Sequence, residues 1–146
     1  MIVELFVSLS LAQVSPAQAQ VLQRGERIGA WSVVLKLCKA ADYTIDPAPA
    51  EAELVAFEES LSAHGLSPGD GARAFDVGMY QELEVFRPPE RQGRAADSDA
   101  DLARFVALLK ARCRDVSTAL PGSVIDLPSA ENAADGVIAK WFEATP

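Results

Sequence analysis

Two cysteines, Cys38 and Cys113, are the only ones in this 146-residue chain, and each falls in phase with apolar residues at helical spacing. Before Cys38 come Ile28, Trp31 and Leu35, at intervals of three and four, with Val34, Leu37 and Ala41 widening the stripe. Around Cys113 come Leu102, Phe105, Val106, Leu109, Val116 and Leu120. Residues that repeat in this way share the face of a helix that turns inward. Both thiols therefore point toward the interior, and a bond between them would hold their two helices side by side. Closing a loop of about 75 residues restricts the unfolded chain by roughly 4 to 5 kcal/mol, comparable to a small domain's net stability.

Whether that bond forms depends on the compartment. Two cysteines in an exported chain read as one disulfide, whereas in a reducing compartment they read as small buried hydrophobes. The first residues favour export. Ile2, Val3, Leu5, Phe6, Val7, Leu9, Leu11 and Ala12 form an apolar run that leads into Pro16-Ala17-Gln18-Ala19-Gln20. Residues 1–19 thus read as a secretory signal peptide cut after Ala19, leaving a single helical domain over residues 20–146. No Lys or Arg precedes the run and Glu4 interrupts it, so an ordinary helix is the competing reading. A membrane span needs about 20 consecutive apolar residues. This run is broken by Glu4, Ser8, Ser10 and Gln13, so it is not expected to span, and as no other long apolar segment follows, no membrane insertion of the mature chain is expected.

The rest of the chain is punctuated into amphipathic helices. The first mature helix is predicted from Val21 to about Tyr43, stopped by Asp46-Pro47-Ala48-Pro49. A second runs from Pro49 to Ala63 with Leu54, Phe57 and Leu61 inward, and Gly65 ends it. Ser67-Pro68-Gly69-Asp70 supplies an N-cap hydroxyl, a proline at the first helical position and an acid three residues on. The third helix that follows has Ala72, Phe75, Met79, Leu83 and Phe86 as its stripe, with Gly78 as a weak point in its middle. Residues 87–96 have the composition of a loop. Asp97, Asp99 and Asp101 then open the fourth helix. Pro121-Gly122 closes it, and a fifth begins near Pro128 or Ser129, with Val137, Ile138, Trp141 and Phe142 inward and Asp135-Gly136 as a break. Only Ser123 to Leu127 suggests a strand. The expected fold is all-α, a bundle of about five amphipathic helices with one disulfide between the first and fourth mature helices.

Charge narrows the partners. A formal net charge of −8 repels phosphate backbones and anionic headgroups, so nucleic acid and membrane surfaces are poor expectations. His64 is the sole imidazole, and beside Gly65 it suits a helix cap better than a catalytic triad. Two sulfurs and one imidazole fall short of a structural zinc site, and cysteines so far apart do not make a redox pair. Gly65 to Gly71 holds three glycines but no phosphate-binding motif. No cofactor is expected. Arg87, Arg91 and Arg94 form the one local basic cluster, either a contact loop for an acidic partner or a connector paired with Asp97, Asp99 and Asp101. Trp31, Phe57, Phe75, Phe86, Phe105 and Trp141 read as core. Tyr43, Met79 and Tyr80 could equally line a groove.

Glu58-Glu59-Ser60, Ser67-Pro68 and Gly78-Met79-Tyr80-Gln81 resemble the Glu-Ser and Gly-Leu-Met-Gln signatures of lysozyme-like lytic transglycosylases. The resemblance spans about a quarter of the chain and departs at the second signature. It implies Glu59 as a general acid held protonated in an apolar pocket. Otherwise Glu58 and Glu59 form the wet face opposite Leu54, Phe57 and Leu61. The expectation that follows from size, staple and the lack of a catalytic constellation is a periplasmic or secreted protein that is not an enzyme. It would act through contacts with another envelope protein, as an accessory subunit, inhibitor or chaperone. The alternatives are a small glycan-cleaving enzyme using Glu59 and a carrier of an apolar ligand.

Overall fold

A computed structural model describes residues 14–87, 98–125, 127, 130 and 135–140. The protein is an all-α bundle with a disulfide. Its elements are α1 (Pro16–Ala40), β1 (Thr44–Ile45), α2 (Ala48–Ala63), α3 (Pro68–Val85), α4 (Ser98–Ala119) and β2 (Val124–Ile125), and residues 135–140 are again helical. Helix α1 is the hub, packed against α2, α3 and α4 in turn. Among the described residues, no helix is long and apolar enough to cross a membrane.

Helix α1 begins upstream of the expected Val21. The Ser15 hydroxyl accepts from the Gln18 amide at 3.1 Å and the Gln18 side chain accepts from the Ser15 amide at 3.1 Å, a capping box ahead of Pro16. Apolar periodicity is blind to such a polar turn. The helix therefore runs through Ala19, and residues 15–19 form its cap and first turn. Gln18 also donates from Nε2 to the His64 carbonyl at 2.9 Å, which fastens the start of α1 to the end of α2.

Helix α2 ends as its sequence suggests. Gly65 takes φ +68°, the Leu66 amide reaches the Leu61 carbonyl at 2.9 Å and the Gly65 amide that of Ser62 at 3.2 Å. This pair of bonds satisfies the last carbonyls in a left-handed cap. Helix α3 opens on the expected box, with Asp70 accepting from the Ser67 amide at 2.8 Å and Ser67 Oγ from the Asp70 amide at 3.1 Å.

The inward face of α3 differs from its predicted stripe. Gly71, Ala74 and Gly78 are buried, Phe75 and Met79 are half-buried, and Ala72 and Leu83 face solvent. The reason is the closeness of α1. A Cβ on Gly78 would collide with the Glu26 carbonyl, and one on Gly29 with the Phe75 carbonyl. Gly78 is thus a contact point between backbones rather than a flaw, because only residues without side chains permit this approach.

At the other end, Cys38 and Cys113 are bonded, both fully buried, with Cα atoms 6.0 Å apart. Around them pack Val34, Leu35, Tyr43, Leu109, Val116, Leu120 and Ile138. Immediately beyond the cysteine helices, β1 and β2 pair antiparallel, Thr44 with Ile125 and Ile45 with Val124. The ribbon consumes the segment that follows α1, which is why the helix stops at Ala40 rather than near Tyr43. In the fifth helical stretch Ile138 is buried and Val137 half-buried, and Asp135 and Gly136 are helical rather than a break. The expected start at Pro128 or Ser129, and Trp141 and Phe142, lie outside the described residues, as do residues 1–13.

Candidate binding groove

Two apolar clusters divide the interior, and Trp31 packs against both. The second is smaller, with Val21, Ile28, Phe57 and Leu61 at its centre and Leu54, Leu66 and Phe75 only partly covered. The cause is geometric. The small residues of α3 let it settle deep against α1, while α2 meets α1 through the larger Phe57 and Leu61. Helices α2 and α3 then each lie along α1 and touch one another little. A groove of about 730 Å³ is left between them.

Its α2 wall carries Leu54, Phe57, Glu58, Leu61 and Ser62, and its α3 wall Gly71, Ala72, Phe75 and Asp76, with Leu66 and Pro68 at the connection. Leu54 and Phe75 also border a smaller cavity of about 160 Å³, lined in addition by Ile28, Trp31 and Leu120. An apolar concavity with a few polar side chains binds chiefly by removing carbon surface from water, the polar groups fixing orientation. The charged lining is wholly acidic, Glu58 and Asp76.

On the far side of α2, Arg24 Nε of α1 meets Glu53 Oε1 at 2.6 Å. The hydrogen bond from Arg24 holds the Glu53 carboxyl below its usual range, against a smaller opposing effect of burial. Asp70 is also lowered, chiefly by the Ser67 backbone amide that it accepts from. Between α3 and α4, Arg112 Nε lies 2.8 Å from Glu82 Oε1. These ties position the walls and leave Glu58 and Asp76 facing the groove.

The sequence-predicted site residues are dispersed. Glu59 is exposed on α2 and is not part of the groove lining, whereas its neighbour Glu58 is. The apolar pocket that the transglycosylase resemblance implies for Glu59 is not built around it. His64 is exposed at the α2 C-cap with Nδ1 2.8 Å from the Ser60 carbonyl oxygen. Arg87 pairs with Glu84, and Arg91 and Arg94 lie outside the described residues. Tyr43 is core, Met79 half-buried and Tyr80 exposed. Among the described residues, no group of three or more His, Cys, Asp or Glu side chains is disposed to hold a metal ion. The groove itself was hidden in the sequence, because Leu54, Phe57, Leu61 and Phe75 carry the same periodic signal whether a neighbour covers them or not.

Fold and site together define a disulfide-stapled helical bundle with an open apolar groove. No family model, curated protein or solved structure significantly matches this chain.

Proposed function

We propose that this is an exported protein, periplasmic or secreted, that is not an enzyme and acts by binding another envelope protein in the α2–α3 groove. An accessory subunit, inhibitor or chaperone would all work in this way. The observation that carries the reading is the groove, an unfilled apolar concavity of about 730 Å³ between two capped helices. The buried Cys38–Cys113 bond supports export, since such bonds persist in oxidising compartments. A photo-cross-linking side chain at Ala72, on the α3 wall, tests the contact in the native envelope. A discrete protein adduct is expected there and not from the same group at Lys39, which is exposed at the end of α1. Equal labelling from both positions, or none from Ala72, would refute the reading.

A second reading is carriage of an apolar ligand, because the groove volume falls within the range of small-molecule sites, about 300–1,000 Å³. Native mass spectrometry of purified protein would reveal it as retained mass. Wild-type mass alone excludes it.

A further inference from the structure

From the groove we infer its occupant, an amphipathic helix of a partner protein with one apolar face flanked by Lys or Arg. The inference rests on the contact reading above and adds the partner's chemistry. Three observations lead to it.

The first is length. The α3 wall of the groove runs from Pro68 to Asp76, and exposed apolar side chains continue it at helical spacing. Tyr80, 62% exposed, follows Asp76 by one turn, and Leu83, 46% exposed, follows Met79 by another. From Pro68 to Leu83 is about 22 Å at ~1.5 Å per residue. A small apolar ligand would fill the concavity and leave Tyr80 and Leu83 wet. A helix of about four turns laid along α3 covers all of it, with anchors at i, i+3, i+4, i+7, i+11 and i+14.

The second is shape. Side chains entering between Leu54 and Phe57 on one wall and Ala72 and Phe75 on the other meet apolar surface on both sides. Leu54 and Phe75 also border the smaller cavity, so an anchor that displaces them gains further depth.

The third is charge. Glu58 stands on one wall and Asp76 on the other, and no Lys or Arg is among the lining residues. Carboxylates on both walls attract cations flanking an apolar face and repel acids, which excludes an acidic helix as effectively as it recruits a basic one. A second copy of this chain, at −8, brings the wrong sign.

The test uses two peptides of about 15 residues that place leucines at i, i+3, i+4, i+7, i+11 and i+14, one with lysine elsewhere and the other with glutamate. Binding to the oxidised protein is read by fluorescence anisotropy. The Leu/Lys peptide should bind at least tenfold tighter than the Leu/Glu peptide. Ala72→Trp, which keeps the net charge and fills the groove, should weaken Leu/Lys binding at least tenfold. Glu58→Lys alone should weaken Leu/Lys binding severalfold, and Glu58→Lys with Asp76→Lys, which makes both wall charges positive, should reverse the preference between peptides. Glu59→Lys, outside the groove, should change little and so controls for bulk charge; thermal unfolding of each variant confirms the fold. Leu/Lys binding that survives Ala72→Trp, or that falls as far with Glu59→Lys as with Glu58→Lys, overturns the inference. So does equal affinity for the two peptides. Should neither peptide bind while the Ala72 cross-link persists, the partner's chemistry is wrong and the contact reading stands. Absence of that cross-link is what removes the reading itself.

Discussion

The two ends of α1 are held by opposite means. At its C-terminal end, bulky side chains surround a covalent bond, and the β1–β2 ribbon ties the same two chain segments a second time. From its middle toward its N-terminal end, Gly29 and, on α3, Gly78 remove side chains so that backbones can touch, and only a small cluster forms beside them. Filling one end with matter closes it. Bringing α1 and α3 together by subtraction at the other leaves α2 closed against α1 but only lightly against α3, and that is where the groove lies.

The comparison can be broken most forcefully at the disulfide. Replacing both Cys38 and Cys113 with Ala should cost about 2–5 kcal/mol in urea unfolding, and reduction of the wild-type protein should approach the same value. Hydrogen exchange sharpens the contrast: on reduction, amides around α4 and the ribbon should lose protection before those of α1 near Gly25 and Gly29. Simultaneous loss at the glycine contact instead would mean that the two ends form one cooperative unit.

Next in size is the glycine contact. Gly29→Ala or Gly78→Ala should destabilise by about 1–3 kcal/mol, because the obstacles are carbonyl groups that no rotamer change can move. Gly69→Ala, whose Cβ would meet only side-chain atoms at 3.6 Å and beyond, should be nearly neutral and serves as the reference. Similar small effects at all three positions would show that α1 and α3 are less tightly apposed.

The start of α1 comes third. A chain that begins at Gln20 lacks Ser15, Pro16 and Gln18, and with them the capping box and the bond to the His64 carbonyl. It should be less stable by about 1 kcal/mol than one that begins at Val14. N-terminal sequencing of the protein recovered from its native cells tests the proposed cut after Ala19 directly.

The smallest effect is electrostatic. Glu53 is held below its unfolded pKa by Arg24, so its contribution is present above that unfolded value and is lost as pH falls through the folded one. The stability gap between wild type and Glu53→Gln should therefore be largest near neutrality and close under acid. Because both side chains are about a third exposed, the gap should be only a few tenths of a kcal/mol to about 1 kcal/mol.

Much of the fold was legible because its signals are local. Ser67, Pro68 and Asp70 mark the start of α3 by chemistry that needs no tertiary partner, and Gly65 marks the end of α2 in the same way. The cysteines were legible for another reason, since two independent stripes placed both thiols inward. Less visible was the face of α3. A large apolar residue looks inward to any periodicity argument, yet Ala72 and Leu83 are exposed while Gly71 and Gly78 are buried. Glycine carries no hydrophobic signal, so a contact made by its absence of side chain is silent in a sequence. The candidate site inherits that silence, because the groove is the consequence of how deeply α3 settles.

By itself, then, the sequence determined an all-α chain, the end of α2, the start of α3 and the inward phase of Cys38 and Cys113, because each follows from spacing and from capping groups within a few residues. Tertiary structure alone decided which helix is the hub, which face of α3 meets it, and that Leu54, Phe57, Leu66 and Phe75 border an open groove. Covering an apolar residue takes atoms from distant parts of the chain, and how closely those parts approach is set by packing between helices, which no local pattern encodes.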